Sequence, residues 1–271
     1  MLRTGQTRSG GLRAAGDVLR CAGAFPAWVV GSGFATGQEL MQFFARYGEG
    51  GRWGVAIVLA GFLLTGPALL RAGYDRRGES DPDPFCWACG PVLGGIYRRL
   101  TPAASMLLLP VLLSGAGAAI GENWGLDRRA GAALMAAAVL AAWRVGFQRC
   151  SAAAAVIAPT VALFSMAVAG AAVLKGGALS SAPAAPGWAG SGVLYLAMNC
   201  WGASAYHCRL GASAAGRRSA ALGGALGALL LGGAIGLMSA AIAGSPGAMA
   251  MEVPALYLAE SIAPALGRAF A

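Results

Sequence analysis

Val29-Val30-Gly31-Ser32-Gly33-Phe34-Ala35-Thr36-Gly37-Gln38-Glu39-Leu40-Met41-Gln42-Phe43-Phe44 decides how this chain is read. Its flanks are apolar, yet its middle holds three glycines, a threonine, a glutamine and a glutamate. Polar groups inside a membrane-length apolar stretch are costly and mark a site. Gly31, Gly33 and Gly37 each weaken helix continuity. Thr36 and Glu39 have the T-x-x-E spacing of a capping box, which starts a new helix, and Leu40 to Phe44 continue it. The first span is therefore predicted to be two half-helices joined by unwound backbone near mid-membrane. A bilayer tolerates unwound N–H and C=O groups only where they line a cavity or bind something. The start of the second half-helix suits a carboxylate; the carbonyls ending the first suit Na⁺ or another cation. Composition alone supports equally a glycine-rich helix packed tightly on its neighbours, with Glu39 near the outer surface.

The rest of the chain is built for the same solvent. Of 271 residues, 57% are hydrophobic and 11% charged, against about 25% charged in a soluble domain. The mean hydropathy is +0.63, and apolar runs recur at membrane length. The chain is read as an all-α integral membrane protein, and a low-complexity soluble chain is set aside. Its 43 glycines suit helices that approach closely where association rests on packing and hydrogen bonds. The net charge of +9 fits arginines in cytoplasmic loops. No basic patch is interleaved with aromatics, so nucleic acid is excluded as a partner and the lipid bilayer is expected. Cys86-Trp87-Ala88-Cys89 has C-x-x-C spacing. It lacks a βαβ context and a second pair, and is read as ordinary packing. The N-terminus shows no clear signal peptide.

Seven spans of about 20 apolar residues are predicted near 18–45, 53–74, 101–121, 129–146, 152–174, 187–206 and 219–243. Residues 75–100 mix charges with Phe85, Trp87 and Tyr97 and read as a loop with an interfacial helix. The final stretch from Met251 is apolar but holds Glu252, Pro254, Glu260, Pro264 and Arg268. It reads as an extracellular interfacial helix leading into a further span. With the N-terminus inside, the inner segments hold 14 of the basic residues and the outer ones 6. That bias predicts a multi-pass protein with a cytoplasmic N-terminus.

The sixth span supplies a counterpart to the first. Within Tyr195-Leu196-Ala197-Met198-Asn199-Cys200-Trp201-Gly202-Ala203-Ser204, Asn199 and Gly202 stand mid-span, where a second break would expose backbone again. Asn199 would then bind a solute or hold the break open; an interhelical hydrogen bond accounts for it equally well. Two interrupted segments at corresponding positions of two halves point to a transporter site.

These residues resemble the YkvI family of bacterial membrane proteins. Gly31 to Glu39, followed by Gln42-Phe43-Phe44, is similar to a GAGFASGQE-like motif of that family. Ser114-Gly115-Ala116-Gly117-Ala118, Ala158-Pro159, Asn199 and Glu252-Val253-Pro254-Ala255-Leu256 match further, weaker family features. The resemblance covers nearly the whole chain. It implies kinship with the amino acid–polyamine–organocation superfamily and a LeuT-like fold: a single transmembrane domain, 1–271, of two inverted repeats with broken first and sixth helices. The first repeat is placed at 18–174 and a partial second at 187–271. A second repeat of equal length would run well past Ala271, so the second repeat is expected to be incomplete. The activity implied is a secondary active transporter, a symporter coupled to Na⁺ or H⁺. Its solute would be an amino acid or similar small molecule, in a bacterial inner membrane. The implied binding residues are Gly31, Ser32, Gly33, Phe34, Ala35, Thr36, Gly37, Gln38 and Asn199, with Thr36 and Glu39 as helix cap. No firm metal site is assigned; the backbone of Gly31 and Gly33 is where Na⁺ would sit, and no cofactor is expected.

Two rivals are weighed. A membrane enzyme needs a nucleophile, base or metal set. The single histidine, His207, reads as an interfacial residue, and neither H-E-x-x-H nor G-x-S-x-G occurs. The chain is therefore not expected to be an enzyme. Glu122, at the outer end of the third span, reads as solvated. The alternative retained is a non-transporting membrane protein: a sensor, an assembly partner or a truncated remnant.

Overall fold

A computed structural model of the chain describes residues 4–79, 84–175 and 182–263. Eleven helices and two short 3-10 turns occupy these residues, and none of the described residues lies in a strand. In chain order they are α1 Thr4–Ala24, α2 Ser32–Thr36, α3 Gln38–Phe43, α4 Glu49–Asp75, α5 Pro84–Trp124, α6 Arg128–Val145, α7 Phe147–Leu174, α8 Trp188–Ala212, α9 Arg217–Ala243, α10 Pro246–Met249 and α11 Pro254–Ile262. The 3-10 turns are Phe25–Trp28, between α1 and α2, and Ala45–Tyr47, after α3. The all-α membrane architecture expected from composition is what the chain forms. Helices stand at all seven predicted places. Among the described residues, four of them are long and apolar enough to cross a bilayer unaided: Glu49–Asp75, Pro84–Gly117, Arg149–Leu174 and Arg217–Ala243.

Glycine decides the packing. Without a hydrophobic drive between helices in lipid, stability comes from close backbone approach, and α4 shows this along its length. A Cβ on Gly224 of α9 would fall 2.9 Å from Pro67 N of α4, and one on Gly192 of α8 would fall 3.0 Å from Gly54 Cα. Nearer the other end, a Cβ on Gly73 would collide with the Cys208 carbonyl, and one on Gly211 with that of Leu70. Thus α4 lies between α8 and α9, while α1 packs on α9 and α7. The core is the apolar residues these faces enclose, among them Phe25, Phe34, Phe62, Leu231 and Ile235. A second pair, α5 and α6, meets where Gly117 faces Gly131. Arg128 donates to Ser114 Oγ there at 2.7 Å. The Ser114–Ala118 motif thus serves that helix pair.

Polar ties close both ends of the bundle. At one end Arg217 pairs with Asp75 at 2.9 Å. Arg20 bridges Asp17 and the Ser213 carbonyl, both at 2.9 Å, and Ala215 N donates to Asp17 Oδ2 at 2.8 Å. At the other end Lys175 Nζ donates to the Ile262 carbonyl at 2.8 Å, pinning α11 to the end of α7.

Two expectations are corrected. Residues 75–100 are not chiefly a loop: after a turn, α5 begins at Pro84, bends at Gly90 (φ 77°) and runs unbroken from Pro91 through the expected third span. The sixth helix is not broken: α8 is continuous from Trp188 to Ala212. The final stretch from Met251 forms α11, preceded by the short α10, and its last residues, 264–271, lie outside those described.

Candidate functional site: the interrupted first helix

The break opens at Pro26. A proline near the end of α1 tightens the chain into a 3-10 turn, and Val29 N and Val30 N both donate to the Pro26 carbonyl at 2.9 and 2.8 Å. Gly31 is extended (φ −115°, ψ −166°). The chain then makes five residues of helix, turns at Gly37 and resumes as α3. Gly37 has φ 80°, the left-handed region where a side chain is strained. A Cβ there would also press on Ile242 Cδ1 at 3.1 Å and Ala255 N at 3.2 Å. The predicted capping box does not form. Gly37 occupies the N-cap of α3 with no side-chain cap. Thr36 Oγ1 donates instead to the Gly33 carbonyl at 3.2 Å and receives only a long 3.4 Å bond from Gln38 N.

Breaking a helix leaves terminal carbonyls without partners, and α8 supplies the donors. Tyr206 Oη donates to the Ala24 carbonyl at 2.8 Å. His207 Nε2 sits 3.1 Å from the Phe25 carbonyl. A carbonyl only accepts, so Nε2 carries the proton. The imidazole also stacks on Phe25, with centroids 4.1 Å apart and planes 6° from parallel. His207 is 2% exposed, so it is packed inside the bundle near the end of α8. From the other side, Pro159 of α7 removes the N–H that would bond the Ala155 carbonyl. Gly23 lies against that oxygen so closely that a Cβ would collide with it. The Ala158-Pro159 feature thus abuts the end of α1.

The break lies at mid-bundle. Trp28 faces Gly202, whose Cβ would come 2.7 Å from the indole Nε1. Ser191 Oγ donates to the Phe43 carbonyl at 2.8 Å. Residues 29–42 therefore lie alongside the first half of α8, between positions 191 and 202, a rise of about 16 Å, and the turn at Trp28 stands beside the middle of that helix. Asn199 falls in that stretch, but its amide donates to the Tyr195 carbonyl of its own helix at 2.9 Å. Satisfied locally, it needs no break, and α8 stays helical. Ser204 likewise donates to the Cys200 carbonyl.

The residues expected to form the site are brought together with one exception. Gly31 and Gln38 are exposed, Gly33, Ala35 and Thr36 half-buried, and Phe34 and Gly37 buried. Ser32 begins α2, and its side chain lies outside the described set. Asn199 stands opposite the segment, on a different helix, with its amide turned to its own backbone. A cavity of about 510 Å³ adjoins the 3-10 turn that opens the break, with Trp28, Thr101, Ser151, Gly202, Tyr206 and Arg209 among its lining; among the described residues, neither 31–39 nor Asn199 are in that lining. Above the break, Gln38 Nε2 donates to the Glu252 carbonyl at 2.6 Å. Gly37 packs against Pro254 and Ala255. The Glu252–Leu256 motif and the first-span motif, far apart in sequence, thus close on each other.

Sequence reasoning missed Tyr206, Trp28 and the bond that His207 makes. The available signal was two ring donors side by side, Tyr206-His207, in an otherwise apolar helix. Their partners are backbone carbonyls, which no sequence displays. Among the described residues no group of three His, Cys, Asp or Glu side chains forms a metal cluster.

No family model matches the chain, and no solved structure matches it. It is similar to the uncharacterized membrane protein YkvI of Bacillus subtilis (strain 168), 29% identical over 116 residues. Those residues are 43% of this chain and 33% of that protein, so the match spans about a third of the relative's length. The relative is of the family that the first-span motif resembles.

Proposed function

We propose that this YkvI-like membrane protein is a secondary active transporter. Its solute is an amino acid or similar small molecule bound at the interrupted first helix and driven by a cation gradient. One observation carries the reading: a helix is broken in the middle of an apolar bundle, with a cavity beside the break. Backbone irregularity at that depth is tolerated where it serves a site. The packing supports it. Exchanging the two halves maps the α1–α9 contact onto the α8–α4 contact and leaves α4–α9 in place, the pattern of an inverted repeat. The LeuT-like fold, the inner-membrane location with a cytoplasmic N-terminus and the absence of enzymatic activity belong to the same proposal.

The test is uptake of a radiolabelled amino-acid mixture by proteoliposomes under imposed Na⁺ or H⁺ gradients. Wild type is expected to accumulate label, and Gly33→Trp to insert normally but accumulate none. Normal uptake by Gly33→Trp overturns the site. The continuity of α8 favours a second reading, a solute-sensing protein with one broken helix and no transport cycle. Solute-dependent thermal stabilisation without uptake under any gradient would select it.

A further inference from the structure

Glu39 is a charge that the packing leaves unanswered. Freed from the capping role, its side chain folds back over the preceding turn. Its Oε2 and Cβ lie 3.1 and 3.3 Å from where a Gly33 Cβ would stand. The residue is half-buried, and among the described residues no hydrogen bond or ion pair reaches its carboxylate. Arg46, on the same stretch of chain, is engaged with Gln42 and Tyr47, at 3.1 Å each. On α8, Tyr195 is fully buried and its hydroxyl has no hydrogen-bond partner. Its ring packs edge-on against Phe43 and Phe44 at 5.2 and 5.0 Å, and Phe43 stands one turn along α3 from Glu39.

A half-buried carboxylate without a counter-charge costs stability, and so does a buried hydroxyl with nothing to bond. One small positive charge answers both, because carboxylate and hydroxyl oxygens are hard donors. Among the described residues the surrounding elements offer no free one: Lys175, at the end of α7, is engaged with the Ile262 carbonyl at 2.8 Å. The α9 helix has no ionisable residue between Arg218 and its end, and α2 has none. The approach to α11 brings Glu252, exposed, and α11 itself brings Tyr257 and Glu260. The α5 helix carries Glu122, whose side chain lies outside the described set.

We propose that Glu39, assisted by the Tyr195 hydroxyl, is the cation site of this protein and takes up one small monovalent cation, H⁺ or Na⁺. That this cation is the coupling ion rests on the transporter reading; its binding does not. The test uses purified protein in detergent, radioactive Na⁺ as probe, and Glu39→Gln, Glu39→Asp and the control Glu252→Gln. If the ion is Na⁺, wild type and Glu252→Gln bind it saturably. Glu39→Gln then loses binding, and Glu39→Asp, with its charge drawn back by one methylene, binds more weakly. If the ion is H⁺, no saturable Na⁺ binding occurs. Infrared difference spectra on acidification then show a carboxyl band that Glu39→Gln removes and Glu39→Asp shifts. Unfolding temperatures of all variants check that they are folded. Na⁺ binding and carboxyl bands unchanged in both Glu39 variants overturn the site. Cation binding at Glu39 without uptake of any amino acid keeps the site and removes the transporter reading.

Discussion

The end of α1 depends on two side chains of another helix. Tyr206 and His207 bond the carbonyls of Ala24 and Phe25, and a carbonyl is the one partner that no substitution can alter. The adaptation is therefore one-sided: while the break persists, α8 must present donors at these positions. Tyr206→Phe deletes the 2.8 Å bond to the Ala24 carbonyl and keeps the ring. It is expected to cost about 0.6 kcal/mol, the usual worth of such a bond between membrane helices. His207→Ala removes a bond, a ring stack and the volume that fills the gap, and is expected to cost about 3 kcal/mol. Unfolding midpoints in detergent read both losses, and equal losses would mean that the stack on Phe25 contributes nothing.

Among the elements, the interrupted first segment was legible and the uninterrupted sixth was not. Three glycines and a run of polar residues in 31–39 fitted a broken span and a tightly packed one equally, and the chain does break at Gly31 and Gly37, though the interruption already opens at Pro26. Asn199 and Gly202 looked equivalent on paper. The difference is that Asn199 reaches the Tyr195 carbonyl four residues back, and Gly202 makes room for Trp28 without bending the helix. Local satisfaction removes the need for a break, and sequence does not say which way an amide turns. The capping box failed for a related reason. Thr36 and Glu39 have the right spacing, but the left-handed turn at Gly37 takes the cap position. Helix contact by glycine gives a sharper prediction. Gly73→Val drives a branched side chain into the Cys208 backbone, and about 3 kcal/mol of lost stability is expected. Gly95→Val on α5 meets nothing within 4 Å and is expected to be neutral. The folded fraction of each variant after extraction decides this.

At the scale of the molecule, membrane character followed from composition, and the pairing of helices did not. Which glycine faces which backbone depends on rotations that hydropathy leaves free. Side is testable through cysteine. Cys150 stands at the start of α7 and lines the cavity beside the break. With the N-terminus cytoplasmic, a membrane-impermeant maleimide is expected to label Cys150 in inside-out vesicles and not in right-side-out ones. A variant keeping Cys150 as its only cysteine makes the measurement, and the reverse pattern would invert the proposed topology. The residue that closes the other side of that cavity has an optical consequence. Trp28 stands in the break, 43% exposed, with its indole against Gly202. Replacing the other six tryptophans with phenylalanine would leave a single emitter at the interruption of the first helix. Its fluorescence colour and intensity would follow the wetting of the break in real time, with no dye attached.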